Sequence, residues 1–380
     1  MPANVPSPPT SPKTRPTVVL VSSRHQGGPV RGGERQLLYL AEGLAARGWR
    51  VILVVPPTGS LLREVRQRGL PHLTLRLRPE FSPLAFARLY RLLRNSGATV
   101  LHLNDSHAIS MGIYARLLRA APVVVAHKRL TTTPHHIHKY VWGTDVIIGV
   151  SRGVVRVMID AGYPPERLAV VYSGVDPVFT TFSGSREEAR RRLDLPEGPQ
   201  LFTMVAAFAP EKDHLGLLSA FAGEFGPGEP VHLCLVGDGP TMPAVRKRIA
   251  TLRLEGRVHL TGTLHGEPLL WAYRAADAAL LITRVEGLGT TLLEAQAMGI
   301  PVVASAVPGV DEAVEEGRSG LLVPPGDEAA LRRALRRLAA DAGLRERLGR
   351  AGRARVEESF TSDRMVEGVL AVYRRLLAAR

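Results

Sequence analysis

Short aliphatic and β-branched runs alternate with longer amphipathic segments along almost the whole chain, and this alternation constrains the fold more than any other feature. In the first half the runs are Val18–Ser22, Val51–Val55, Val100–Leu103, Val123–Ala126, Val146–Val150 and Ala169–Tyr172. Several intervening segments have helical spacing. From Arg35 to Arg47, Leu37, Leu38, Leu40, Ala41 and Leu44 share a face, and Gly48 supplies a C-terminal stop. Continuous apolar strands separated by helices predict a parallel sheet covered on both faces.

The alternation pauses at 179–199, a stretch with Ser, Gly, Pro and a charge run from Arg186 to Arg192 that reads as a linker with a short helix. It resumes at Leu201–Ala206, Val231–Val236, Val258–Thr261, Ala279–Thr283 and Pro301–Ala304. A chain of 380 residues is long enough for two domains. The expectation is two Rossmann-like, doubly wound α/β domains, 17–178 and 200–358, with a C-terminal helix over 359–380. Ligands would bind at the carboxyl ends of the strands, facing a cleft between the domains. The first 16 residues hold six prolines and read as a disordered tail.

No early run has the length of a signal-peptide core, and none later approaches the ~18 apolar residues of a membrane span. The lone Cys234 forms no intramolecular disulfide and no zinc cluster; a cytoplasmic location and a buried core position are expected for it. The net charge of +14 is unevenly placed. Met1–Asp176 carries 23 Lys and Arg against 9 Asp and Glu, a difference of +14, whereas the remainder carries 26 of each. A basic half implies an anionic partner: nucleic acid, acidic lipid or a phosphorylated substrate.

Five constellations carry chemistry. A glycine-rich loop (Gly27, Gly28, Gly32, Gly33) follows the first strand and opens a helix, whose amides suit a phosphate or sugar oxygen; a ligand-free turn is the plain alternative. Val285 to Glu294 places Glu286 in a loop and Glu294 about one turn into the next helix, an arrangement suited to a diphosphate between two polyols. Thr291-x-x-Glu294 is equally a capping box. Lys212, in Ala209–His214 at the end of a strand, offers a point charge for phosphate or a solvated surface lysine. His127 ends a strand, whereas His135, His136 and His138 lie in a Thr/Pro-rich loop with no zinc-site spacing. Without any Asp-x-Asp pair, no divalent-metal clamp is expected. Finally, Leu61 to Arg94 is Arg-rich, and Pro83–Arg94 is amphipathic. It fits either docking to anionic lipid or a sheet-covering helix with a basic outer face.

Taken in order, these motifs resemble the retaining glycosyltransferases of family 4, with the GT-B fold. The elements are Gly32–Arg35, His127, Val170–Asp176, Pro210–Lys212 with Val236–Pro240, and Glu286 through Glu294 to Ser305, spanning about Val18 to Leu377. The resemblance implies a nucleotide-sugar donor. Lys212 and the amides of Gly287, Leu288, Gly289, Thr290 and Thr291 would bind its diphosphate, and Glu294 its ribose. Gly33, beside Gly32 in the first loop, would leave room for phosphate. Glu286 and His127 would lie beside the transferred sugar. Transfer would retain configuration without a metal or other cofactor, the leaving phosphate assisting deprotonation of the acceptor. The last helix, around Asp363 to Leu377, would cross back to the first domain.

Two positions depart from the family pattern. Ala207 stands where many members carry an Arg, so the diphosphate loses a bidentate partner, with Arg284 or an Arg of the first domain as the expected substitute. Ser173 replaces the usual Asn before Gly-Val-Asp. The expected acceptor is a glycan or lipid-linked glycan of envelope or exopolysaccharide synthesis, with an anionic membrane surface as a further partner at the inner face of the cytoplasmic membrane. Alternatives are a sugar-nucleotide epimerase on the same fold, a catalytically dead scaffold and a nucleic-acid-binding protein. With aromatics at 5% and no stacking signature, no nucleic-acid partner is expected.

Overall fold

The protein is described by a computed structural model at residues 15–23, 30, 32–76, 82–121 and 123–380. Most of the expected N-terminal tail, together with Gly27, Gly28, Arg78 and Glu80, lies outside these residues. Two compact units result: residues up to Gly174 with Ser362–Arg380, and Val175–Thr361.

The first unit holds seven strands: β1 (Thr17–Val21), β2 (Arg50–Val55), β3 (His72–Thr74), β4 (Val100–Leu103), β5 (Val123–Lys128), β6 (Val146–Gly149) and β7 (Leu168–Val170). Their order is β3-β2-β1-β4-β5-β6-β7, and every pair is parallel. The second holds β8 (Gln200–Val205), β9 (Val231–Val236), β10 (Val258–Gly262), β11 (Ala278–Leu281), β12 (Val302–Ser305) and β13 (Leu321–Val323), in the parallel order β10-β9-β8-β11-β12-β13. Strand order reverses direction beside β1 and β4 in one sheet and beside β8 and β11 in the other. At such a switch point neighbouring crossovers leave on opposite faces and open a crevice.

Both sheets are all-parallel and doubly wound, as the alternation predicts. Neither β3 nor β13 was anticipated: each is a three-residue edge strand, too short to show a run. The strand expected at Ala169–Tyr172 begins and ends earlier. Its chain leaves the sheet at Gly174, whose N–H donates to Gln36 Oε1 (2.9 Å) while its carbonyl accepts from Gln36 Nε2 (2.7 Å). The helix expected from Arg35 starts at Gly32.

Residues 179–199, expected as a linker, are clamped into the second unit. Two helices, Pro177–Thr181 and Arg186–Arg192, fall within or run into the stretch. Buried Arg190 pairs with Asp277 (2.8 Å) and donates to the carbonyls of Ala275, Glu197 and Pro199. Asp277 also accepts from Arg186 (2.6 Å) and the Leu201 amide, so this buried charge is fully hydrogen-bonded.

Helix Ser362–Ala378 buries Met365, Val366, Val369, Leu370 and Tyr373 in the core of the first unit, with Leu37, Leu40 and Leu44 of helix Gly32–Ala46. Helix Pro83–Ser96 spends its apolar stripe (Ala85, Leu89, Leu92, Leu93) on the same sheet, leaving Arg88, Arg91 and Arg94 outward. Its apolar stripe is thus spent on covering the sheet, and the basic face is the outer one. No helix among the described residues is long and apolar enough to cross a membrane. Cys234 is fully buried in β9, and burial pushes its thiol up to about 12.

Candidate active site

In the second unit the switch point is built by two loops stitched together. The loop after β8 and the loop after β11 meet at an antiparallel bridge between Lys212 and Thr283. Asp213 N donates to Ile282 O (3.0 Å), Arg284 N to Glu211 O (2.8 Å) and Thr283 Oγ1 to Glu211 O (2.9 Å). Phe208 stacks on His214, ring centroids 4.2 Å apart, and the His214 ring bonds the Lys212 carbonyl at 2.9 Å. A third loop, Gly237–Pro240, closes over this region. A Cβ on Gly237 would fall 2.0 Å from the Ala206 carbonyl oxygen, and one on Gly239 2.4 Å from that of Phe208, so only glycine lets these backbones approach.

This stitching brings Lys212 and Glu286 together: Nζ to Oε2 is 2.6 Å, with side chains only 14% and 17% exposed. Glu286 Oε1 accepts from the Gly287 amide at 2.8 Å. Helix Thr290–Ala297 starts at once, with Gly289 as its N-cap at φ 80° and no side-chain cap. Thr291 thus lies inside the first turn and does not cap; the capping-box alternative fails because a left-handed glycine does the work. Gly287, Leu288 and Gly289 are buried, and Thr290 and Thr291 half-buried. Glu294 is buried, and its Oε2 accepts from the Tyr273 hydroxyl at 2.8 Å. Arg284 is two-thirds exposed, and its guanidinium approaches Asp213 at 3.5 Å. It lines a separate cavity of about 480 Å³ with Asp213, Arg248, Ser305 and Asp327.

In the first unit, the ends of β1, β4 and β5 surround a cavity of about 180 Å³ whose walls include Ser22, Gly33, Asn104, His127, Lys128 and Arg129. Gly32 opens the adjoining helix, and Gly33 lies against Arg129: a Cβ there would be 3.1 Å from Arg129 Cδ. His127 Nδ1 bonds His102 Nε2 at 2.7 Å, and His102 Nδ1 bonds the Tyr373 hydroxyl at 2.5 Å. All three are buried. Burial pushes His102 down to about 3 and His127 well below the usual imidazole range, and the nearby Arg129 cation adds to both shifts; burial also pushes Tyr373 up. The three groups are therefore neutral at pH 7.

The direction of this chain follows from counting protons. The buried Tyr373 hydroxyl has His102 as its hydrogen-bond partner among the described residues, so its proton goes to His102 Nδ1. His102 then carries its proton on Nε2 and donates to His127 Nδ1. His127 is left with its proton on Nε2, as a hydrogen-bond donor. His102 and Tyr373 escaped the motif reading. The signal available was a lone histidine inside an apolar strand, which reads as core until a partner is found across the sheet.

His135, His136 and His138 are exposed, and the rings of His136, His138 and Trp142 form a series of tilted contacts. Among the described residues no group of three or more His, Cys, Asp or Glu is placed to hold a metal.

With this geometry in hand, comparison with known proteins is specific. The model of the group 1 glycosyl transferases matches residues 185–355, and that of glycosyltransferase family 4 matches residues 30–179. The chain belongs to this family of group 1 glycosyltransferases. Among curated relatives, a D-inositol 3-phosphate glycosyltransferase of Salinispora tropica is 37% identical over 228 residues, 56% of this chain and 47% of that protein. The chain thus spans about half the length of that relative. An N-acetyl-alpha-D-glucosaminyl L-malate synthase of Bacillus anthracis is 24% identical over 310 residues, 78% of this chain and 79% of that one. Among solved structures, Anabaena HepE in complex with UDP and glucose superposes with a TM-score of 0.83 at 20% identity, over 93% of this chain and 98% of that one. The fold is that of the GT-B glycosyltransferases.

Proposed function

We propose that this protein transfers a hexose from a nucleotide-sugar donor to an acceptor hydroxyl, with retention of configuration and without a metal. The observation that carries the reading is the second-unit site, where Lys212, Glu286 and Glu294 surround the glycine-led start of helix Thr290–Ala297 at a sheet switch point. A helix start offers unpaired amides and a partial positive charge to a diphosphate. Lys212 adds a full charge once the donor competes with Glu286 for it. Glu294 would accept from ribose hydroxyls, and Glu286 from those of the sugar. His127, as a donor from Nε2, is assigned to the sugar as well. With no protein nucleophile assigned, the leaving phosphate would take the acceptor proton on the same face of the sugar, and amides and basic side chains would stabilise its charge.

The acceptor is proposed to be anionic. A glycan or lipid-linked glycan of envelope or exopolysaccharide synthesis meets that requirement, with the basic first unit near an acidic membrane surface in the cytoplasm. The names of the similar proteins instead give inositol 3-phosphate and L-malate, both small anions. The test is a panel of nucleotide sugars with each acceptor class, following nucleotide release and product. Release that depends on an acceptor supports transfer; a changed sugar nucleotide with no acceptor consumed indicates an epimerase. No binding or turnover of any donor would overturn the reading.

A further inference from the structure

The walls of the 180 Å³ cavity of the first unit carry two cations, Lys128 and Arg129, and two acids, Glu34 and Asp105, neither of which forms an ion pair with Arg129. Arg129 donates from Nη2 to Asn104 Oδ1 at 2.8 Å, while its Nε is fully enclosed and has no hydrogen-bond partner among the described residues. No carboxylate lies within ion-pair distance of it among those residues. Burial lowers Arg129 to about 10, against a partial opposing effect of Asp105. Lys128, buried beside it, is also pushed down by burial; among the described residues its ammonium donates to the Thr132 hydroxyl, at 3.1 Å.

The nearest acid is already committed. Asp105 accepts from the Ser23 amide (2.8 Å), the Ser22 hydroxyl (3.4 Å), the Ser23 hydroxyl and the amides of His107 and Ala108 (both 3.2 Å). Five donors occupy the lone pairs of one carboxylate. Glu34, also on the cavity wall, has an interaction of its own and makes no ion pair with Arg129. A buried cation left without a counter-charge is costly, and the cost is recovered when a ligand brings the anion. The site is also preorganised: Asn104 holds the guanidinium and donates to the Gly33 carbonyl at 3.2 Å, fixing Arg129 against the glycine where no Cβ would fit comfortably.

We propose that Arg129 and Lys128 form an anion-binding site at the carboxyl ends of β1, β4 and β5 that takes a phosphoryl or carboxylate group of a substrate. The guanidinium is the directional element, with Nε as a ready donor, and Lys128 adds a point charge. The site rests on the glycosyltransferase reading only for which substrate delivers the anion, the acceptor or the donor.

The test uses the full chain and inorganic phosphate, with sodium chloride at matched ionic strength as the control. Phosphate should bind saturably by calorimetry and raise the melting temperature. Arg129→Met should weaken binding roughly tenfold or more, Arg129→Lys less, and Lys128→Met by a smaller factor. Because Arg129 also braces Gly33, the wild-type chain supplies a second readout: phosphate should shift the His127 ring resonances. Absence of saturable phosphate binding, or binding indifferent to both Arg129→Met and Lys128→Met, overturns the site. Competition separates the sources. Displacement of phosphate by uridine diphosphate assigns the site to the donor. Displacement by glycerol 3-phosphate, with uridine diphosphate binding independently, assigns it to the acceptor. A chain that binds phosphate through Arg129 but binds no nucleoside diphosphate keeps this site and loses the donor reading.

Discussion

The side chains that matter most here are charged or titratable groups whose partners are distant in sequence. Lys212 read as a phosphate ligand or a solvated lysine. It is neither solvated nor alone, because Glu286, 74 residues on, holds it at 2.6 Å. Lys212→Ala should weaken nucleotide-sugar binding by at least ~10-fold, the scale of a lost charge-assisted contact, measured by calorimetry; unchanged affinity would remove the diphosphate assignment. His102 was invisible as a functional residue, since one histidine in an apolar strand has no motif. Its depressed pKa has a sign that can be worked out. Unfolded imidazole titrates near ~6.5. The folded form holds off protonation to about 3, so the unfolded chain binds the extra proton between these values. The resulting stability is fully present above ~6.5 and is lost as pH falls toward 3. Melting temperature should drop through this window, and His102→Asn should flatten the drop. Tyr373→Phe should abolish the fixed Nε2–H tautomer of His127, seen in the nitrogen resonances of the ring.

At the scale of elements, local chemistry and long-range contacts divided the outcome. The strands of both sheet interiors were legible because buried parallel strands are continuous apolar runs. The edge strands β3 and β13 were not, since three residues are too few to show a run, whereas the edge strands β7 and β10 were. At the start of helix Thr290–Ala297 the sequence left two readings open: Thr-x-x-Glu spacing also suits a cap, but Gly289 at φ 80° takes that position. Gly289→Ala should cost about 1–2 kcal/mol, from the left-handed backbone; Leu292 and Leu281 also stand 3.1 and 3.2 Å from the added Cβ. Chemical denaturation would measure it, and donor affinity should fall with it. The stretch 179–199 read as a linker with a short helix because arginine is usually solvated, yet Arg190 is buried. Arg190→Ala removes one of the two arginines on buried Asp277, leaves Arg186 in place, and should destabilise the second unit by about 1–3 kcal/mol. A loss below about 1 kcal/mol would mean that the pair is not a clamp.

For the whole molecule, the decisive feature is that the first unit is discontinuous: it is completed by Ser362–Arg380. Removing residues after Thr361 would strip Met365, Val366, Val369, Leu370 and Tyr373 from the first core and uncover the apolar face of helix Gly32–Ala46. Calorimetry of the truncated chain should show the transition of the second unit preserved and that of the first lost or sharply lowered; two unaltered transitions would refute this dependence. The positive excess of the first half likewise became interpretable only in space, where Arg88, Arg91 and Arg94 lie on the outside of a sheet-covering helix while Arg129 stands in a cavity wall with its Nε unmatched among the described residues. By itself the sequence determined the two doubly wound sheets, the family and the Glu286 to Glu294 motif, because strand periodicity, glycine placement and motif order are local properties. The tertiary structure alone decided that Lys212 meets Glu286, that Tyr373, His102 and His127 form one proton-ordered chain, and that Arg129 makes no ion pair among the described residues. Each of these depends on which loops a sheet's strand order brings side by side, and hydrophobic pattern does not encode that pairing.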